Sequence, residues 1–286
     1  MWCKVCRPVS LFDNSNEEDN QNSIALSTRY AYYASIQQHY YKLPPDIERG
    51  FRQYMFDVYG RCYLDMVNNV AVIGHSHPAI TAAITKQIQV LNTNSRFIYS
   101  LLGKFCEKII SKIPETLLKR GKLNRVFLVN SGSEATDLAL RIARTVVTER
   151  RRRLRRRRKA TTDDSPVDEG EGEGEDEVHS LELQRDVICL EGAYHGVTTA
   201  SDEVSTTLND NPRALESRAP WIHLTPMPNL YRGRIKHHDR PIEEESEIKI
   251  GESYAEFVNT IIDNLNQSGR LPSAFICEPL SGNAGN

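Results

Sequence analysis

No stretch of this chain approaches the roughly 20 consecutive apolar residues that a membrane-spanning helix needs. The first 22 residues, MWCKVCRPVSLFDNSNEEDNQN, have no apolar core and soon turn acidic, unlike a secretory signal or a transit peptide. A surplus of one charge is also missing: 36 Lys and Arg face 38 Asp and Glu, for a formal net charge of −2. No overall field therefore draws the chain to nucleic acid or to a membrane. The Gly-x-x-x-x-Gly-Lys-Ser/Thr loop of nucleotide triphosphate sites is absent, as is the Gly-x-Gly-x-x-Gly turn of dinucleotide sites. Cys3-x-x-Cys6 has no second pair to complete a metal site, so no metal is expected. The six cysteines (Cys3, Cys6, Cys62, Cys106, Cys189, Cys277) are scattered, several within apolar segments. That pattern suits reduced thiols in a cytoplasmic protein better than a disulfide framework. A mitochondrial location is the alternative.

What is present is enough for one large or two small domains: 286 residues, 39% hydrophobic and 26% charged. The most informative stretch is VFLVNSGSEATDLALRIAR at 126–144. The apolar run 126–129 reads as a strand, Asn130-Ser131-Gly132-Ser133 as a turn, and the remainder as a helix over 134–148. Ser131 and Glu134 have capping-box spacing. Ala135, Leu138, Ala139, Ile142 and Val146 recur with the period of a buried helix face. A helix N-terminus carries unpaired N–H groups and positive dipole, so a Gly-Ser turn there is a candidate phosphate cup. A plain capped helix is the alternative for that motif alone.

Two further apolar runs have the same character. Residues 187–190 enter Glu191-Gly192-Ala193-Tyr194-His195-Gly196, and 274–277 enter Glu278-Pro279-Leu280-Ser281-Gly282. Upstream, 51–59 and 62–66 read as a hairpin about Gly60-Arg61. Asn68 to His77 reads as a loop, and Pro78 opens a helix expected to bury Ile80, Ala83, Ile84 and Ile88. Another helix covers about 100–113, and the clearest later helix is 254–265. Alternating strands and helices imply an α/β fold with a mostly parallel sheet flanked by helices. Ligands bind such sheets beyond the carboxyl ends of the strands, so three Gly-bearing loops at that edge point to a site.

An unusual segment lies between the helix expected to end at 148 and the strand expected at 187–190. Residues 149–159 read ERRRRLRRRRK, and 163–177 are almost wholly acidic with glycine. One reading is a nuclear-import or nucleic-acid patch. The favoured one is a disordered insertion over 150–184 that neutralises itself locally, its first arginines extending the preceding helix. Nucleic acid is accordingly not expected as a partner.

Four blocks in order resemble the class III aminotransferases, enzymes of pyridoxal 5'-phosphate (PLP) with fold type I. They are YLDMVNNVAVIGHSHP at 63–78, NSGSEA at 130–135 continuing to ALRIAR at 139–144, EGAYHG at 191–196, and CEPLSGNAG at 277–285. Within that family, the wording NNVA at 68–71, LNTNSR at 91–96 and EPLSGNAG at 278–285 is similar to a branch containing ethanolamine-phosphate and phosphohydroxylysine phospho-lyases. The resemblance implies roles for individual residues. Gly132 and Ser133, within the Ser131 turn, would hold the PLP phosphate. Tyr194 would stack on the pyridine ring, His195 would line its pocket, and Glu278 would lie near the ring. Arg96 would approach phosphate or substrate, often across a dimer interface. Asn283 stands where several family members carry a second glutamate, so their amino-donor preference does not carry over.

Organised on this resemblance, residues 1–28 are a loose N-terminal segment, 29–78 a small-domain segment with the hairpin, and 79–286 a large PLP-binding domain. The family's Schiff-base lysine and pyridine-nitrogen aspartate are expected beyond Asn286, and Lys236 and Lys249 stand in the wrong context. The chain is thus expected to be truncated, inactive alone, and to expose an apolar sheet edge. The intact enzyme would move an amino group between an amine and a keto acid, as a homodimer without membrane association. The alternatives are elimination of phosphate from a phosphorylated amine, and service as a non-catalytic partner of a complete subunit.

Overall fold

A computed structural model describes residues 18–34, 41, 43–68, 71–94, 96–121, 123–162, 185–207, 216, 218–235 and 244–282. The chain divides into two compact units, Met1–Lys108 and Ile109–Asn286.

The first unit opens with helix α1 (Glu18–Tyr32), so part of the segment expected to be loose is helical. Strands β1 (Ile47–Phe51), β2 (Tyr54–Asp57) and β3 (Cys62–Leu64) follow as an antiparallel meander. The expected hairpin is present, with Met55 opposite Tyr63 and Phe56 opposite Cys62. The single strand read over 51–59 is in fact broken at Arg52, whose φ of 53° turns the chain back on itself. A buried carboxylate holds the second turn. Asp57 Oδ1 accepts the N–H groups of Tyr59 and Arg61 at 3.1 and 2.9 Å, and its Oδ2 accepts Arg61 Nε at 2.6 Å and the Tyr63 hydroxyl at 2.9 Å. Burial pushes the Asp57 pKa up, but the Arg61 and Tyr63 hydrogen bonds outweigh it and hold the carboxyl below its ordinary value.

The loop after β3 contains a 3₁₀ turn, Ala71–Ile73, and then bridges back to the meander between Arg52 and His75. Gly74 is needed there: its φ is 69°, and a Cβ would meet the Arg52 carbonyl oxygen at 2.5 Å. His75 Nε2 lies 2.8 Å from Asp65 Oδ2. The Asp65 carboxyl also accepts the N–H groups of Asn68 and Val67, which bring its pKa to about 2. Helix α2 (Pro78–Val90) starts at Pro78 as expected, but its apolar face is uncovered. Ile80, Ala83, Ile84 and Ile88 are exposed, because no described element of this unit packs on them. Helix α3 (Ser100–Ile110) follows.

The second unit is built on a parallel sheet. After α4 (Glu115–Gly121), residues 123–129 have no regular secondary structure, which corrects the strand expected at 126–129. Phe127 and Leu128 are exposed there: a strand is defined by a partner, and no described residue supplies one. Helix α5 (Gly132–Thr162) follows and runs well past the end expected at 148. Residues 150–162, assigned to a disordered insertion by sequence, are helical, while 163–184 lie outside the described residues. Next come β4 (Val187–Leu190), α6 (Thr199–Val204), β5 (Ile222–Thr225), α7 (Glu244–Gln267) and β6 (Ala274–Ile276).

The sheet order is β5-β4-β6, all parallel, with Val187 opposite both Ile222 and Ala274. Central β4 is buried along its whole length, as a near-continuous apolar run in a parallel sheet should be. Leu140 of α5, Val187 and Cys189 of β4, Val204 of α6 and Ile222 of β5 form the core. Truncating Leu140 to alanine there would cost about 2–5 kcal/mol. Burial pushes the Cys189 thiol up to about 12, so it packs as an inert apolar group. Cys62, Cys106, Cys189 and Cys277 are all free thiols.

At the amino-terminal edge of this sheet, opposite the candidate site, Asp186 is fully buried just before β4. Its Oδ1 lies 2.6 Å from His223 Nε2 and also accepts Arg270 Nη2, while Oδ2 accepts Arg270 Nε at 3.0 Å. The Asp186 carbonyl takes the N–H and hydroxyl of Ser273 at 2.6 and 2.7 Å. One residue thereby ties the starts of all three strands together.

Candidate cofactor site

Parallel register carries the carboxyl ends of β4 and β6 to one edge, and the N-terminus of α5 meets them there. The local chemistry of α5 makes its first turn well defined. Ser131 caps the helix: its hydroxyl accepts the Glu134 N–H at 3.1 Å, and its carbonyl accepts the first helical bond, from Ala135 N, at 3.1 Å. The Glu134 carboxylate reaches one residue beyond the cap and accepts the Asn130 N–H at 2.6 Å. Gly132 and Ser133 therefore occupy the first two helical positions. Their N–H groups have no carbonyl four residues earlier within the helix. A Cβ built at Gly132 would meet nothing within 4 Å, so the approach to these groups is open.

The loop after β4 is stitched to this turn. Val197 N donates to Ser133 Oγ at 3.1 Å, and Thr198 Oγ1 donates to the Ser133 carbonyl at 3.3 Å. Gly196, with φ 123°, makes this approach possible: a Cβ there would lie 2.5 Å from Ser133 Oγ and 2.7 Å from Ser133 Cα. His195 N donates to Ser205 Oγ at 2.9 Å, and that hydroxyl donates to the Gly196 or Ser201 carbonyl, each 2.8 Å away.

The loop after β6 joins through Glu278, whose Oε2 accepts the Tyr194 N–H at 3.2 Å. His195 Nε2 is buried without a hydrogen-bond partner. Burial pushes its pKa down, and the nearby Glu278 carboxylate partly opposes the shift, so the imidazole is neutral at neutral pH.

Of the residues singled out by sequence, Ser131, Gly132, Ser133, Tyr194, His195 and Glu278 lie in this one cluster. The Ser131 hydroxyl is occupied by the helix cap. Arg96 belongs to the first unit, exposed in the stretch between α2 and α3. Asn283 and Lys236 lie outside the described residues. Sequence reading missed Thr198, Ser201, Ser205 and Asp137, which organise the loop. For Thr198, Ser201 and Ser205 the signal was the run of Ser and Thr after the GAYHG block, and for Asp137 there was none. It also missed β5, although Trp221-Ile222-His223-Leu224-Thr225 alternates like a strand.

The cluster fits a phosphorylated aromatic cofactor. Two free helix N–H groups and a serine hydroxyl that accepts one bond and keeps its own proton suit a phosphate. An unpartnered buried imidazole nitrogen suits a polar atom on an adjacent ring. No group of His, Cys, Asp and Glu able to hold a metal ion occurs among the described residues. No described helix is long and apolar enough to cross a membrane.

Comparison with known proteins agrees with this geometry. The aminotransferase class-III family matches residues 35–286. An alanine–glyoxylate aminotransferase 2-like protein of Drosophila melanogaster is 33% identical over 261 residues, covering 91% of this chain and 43% of that protein. Ethanolamine-phosphate phospho-lyase homolog 1 of Caenorhabditis elegans is 28% identical over 240 residues, covering 84% and 42%. The chain thus spans under half the length of these relatives. Among solved structures, a phospholyase from Arthrobacter in complex with phosphoethanolamine superposes with a TM-score of 0.64 at 26% identity, covering 90% of this chain and 48% of that one. Matched over most of its length, on a fold whose loops form this cup, the chain belongs to the class III aminotransferases, a PLP-dependent family.

Proposed function

We propose that this chain supplies the phosphate- and ring-holding part of the PLP site of a class III aminotransferase, and that the whole protein moves an amino group between an amine and a keto acid. The observation that carries this reading is the joining of the α5 N-terminus to the Tyr194–His195 loop through Ser133. When bound, PLP supplies an electron sink for chemistry at the carbon bearing the amine.

The chain's own groups have separable tasks. The N–H groups of Gly132 and Ser133, with the Ser133 hydroxyl, bind phosphate at the positive end of α5. Tyr194 stacks on the ring and fixes its plane. Neutral His195 offers Nε2 to a polar atom at the ring edge. Glu278 holds the Tyr194 backbone so that the ring-facing loop keeps its place. Arg96 is proposed as an anion ligand for phosphate or carboxylate, and its guanidinium fork suits either.

A second reading, elimination of phosphate from a phosphorylated amine, is favoured by likeness to a relative and a solved structure both named as phospho-lyases. Function as a homodimer in the cytoplasm, with a mitochondrial location as the alternative, completes the proposal. The deciding experiment is titration of the protein with PLP, followed by quenching of tryptophan and tyrosine fluorescence. Saturable quenching, lost in Ser133→Asp because a fixed carboxylate repels phosphate, supports the site; wild-type quenching in that variant refutes it. Incubation of the whole protein with phosphoethanolamine and a keto acid then separates the reactions. Release of inorganic phosphate selects elimination, and an amino group appearing on a keto acid acceptor selects transfer.

A further inference from the structure

Asp137 has no place in the cofactor site as described, yet it sits one helical turn beyond Ser133 and reaches out of α5. Its Oδ1 accepts the Ser201 N–H at 2.8 Å. Ser201 lies in the first turn of α6, which follows the ring-facing loop directly. The Ser201 hydroxyl in turn accepts the Thr198 N–H at 3.0 Å and lies 2.8 Å from Thr198 Oγ1. Thr198 Oγ1 closes the circuit by donating to the Ser133 carbonyl at 3.3 Å. A ring of contacts thus runs from Ser133 through Thr198 and Ser201 to Asp137, and back along α5 to Ser133.

Two facts make Asp137 the member with most control over this ring. It is the only carboxylate in it, and a charged acceptor makes a stronger bond than a neutral one. Its charge also faces the first turn of α6, whose N–H groups have no carbonyl partner within the helix and favour an anion. Ser201 is fully buried, and Asp137 is the acceptor that its N–H has there.

We infer that Asp137 is a positioning residue that fixes the distance between the phosphate cup at Gly132–Ser133 and the ring-facing loop at Tyr194–His195. A ligand that engages both ends is sensitive to that distance. A ligand that engages one end is not. The inference rests on the PLP reading above and adds a residue to it that touches no part of the ligand.

The test compares Asp137→Ala and Asp137→Asn with the wild-type chain. Three probes are titrated by intrinsic fluorescence: PLP, pyridoxal without its phosphate, and inorganic phosphate. Asparagine keeps an acceptor oxygen at the same place. The expected result is a loss of PLP affinity of about tenfold in Asp137→Ala, equal to one charged hydrogen bond of about 1.4 kcal/mol. Asp137→Asn, which keeps the acceptor but loses the charge, falls between wild type and Asp137→Ala. Pyridoxal and inorganic phosphate bind Asp137→Ala as they bind wild type. Wild-type PLP affinity in Asp137→Ala overturns the inference, as does an equal loss for all three probes or an asparagine variant as weak as alanine.

Amide hydrogen exchange at Val197 is measured alongside, without ligand. Its N–H bonds to Ser133 Oγ, so exchange there speeds up in Asp137→Ala if Asp137 holds the two ends together, and an unchanged rate overturns the inference. If the wild-type chain fails to bind PLP, the cofactor reading falls, and the Val197 exchange rate still decides the role of Asp137.

Discussion

Glu278 Oε2 accepts the backbone N–H of Tyr194 at 3.2 Å, joining loops 84 residues apart in the chain. The same carboxylate raises the His195 pKa against the larger effect of burial, which lowers it. Glu278→Gln keeps an acceptor for Tyr194 but removes the charge. The His195 pKa should therefore fall further in that variant, as read by NMR titration of its imidazole. An unchanged or raised value would mean that the two side chains do not sense each other.

His195 also links site and stability to pH. Its folded-state pKa is depressed below the ordinary value of 6.5, so the unfolded chain binds the proton more readily. The associated stability is fully present above pH 6.5 and is lost as pH falls through the folded pKa. Denaturant unfolding followed between pH 7.5 and 5 should show this decline, and His195→Gln should flatten it.

Gly196→Ala should be among the most damaging single changes at the site. The backbone there has φ 123°, and the added methyl would overlap the side chain and Cα of Ser133. A cost of about 2–4 kcal/mol is expected from strain plus steric overlap. Val197 and Thr198 would then separate from Ser133, so loss of PLP-dependent quenching should exceed the loss in melting temperature.

At the opposite edge of the sheet, Asp186→Ala should destabilise the second unit without touching the cup. It leaves Arg270 without its buried counter-charge and His223 without its Asp186 partner, at a cost of about 3 kcal/mol. Urea unfolding followed by tryptophan fluorescence reports this, because Trp221 directly precedes β5 and lies beneath the Arg185 guanidinium, 5.4 Å from its ring centroid. A change below about 0.5 kcal/mol would show the network to be a surface-like ion pair.

The arginine-rich end of α5 gives a prediction about salt. Deleting 163–177 removes nine carboxylates and no cation, taking the formal net charge from −2 to +7. The shortened chain should bind duplex DNA at low salt with a steep salt dependence, whereas the intact chain should bind far more weakly. Equal binding by both would mean that the acidic stretch does not neutralise the arginines.

Much of the site was legible because its parts are local. A Ser cap and Glu at its third helical position define the start of α5 within five residues. The i, i+3, i+4 spacing from Ala135 onward defines its direction, and Gly196 stands where backbone must come close to Ser133. Other expectations failed where the needed information is not local. Residues 126–129 have strand composition, but a strand exists only through hydrogen bonds to a neighbour, and no described residue provides them. Ile80, Ile84 and Ile88 have the spacing of a buried face, yet burial depends on what packs above them.

The sequence by itself determined where α2 and α5 begin, which residues could meet a phosphate, and, through its family blocks, which cofactor to expect. Short-range sterics and hydrogen bonding between near neighbours suffice for most of these. Only the tertiary structure decided that Ser133 meets Val197 across 64 positions, that Glu278 meets Tyr194, and that Asp137 and Asp186 each bind distant segments together. Those pairings arise because parallel register brings the carboxyl ends of β4 and β6 to one edge, a consequence of sheet assembly that no local pattern encodes.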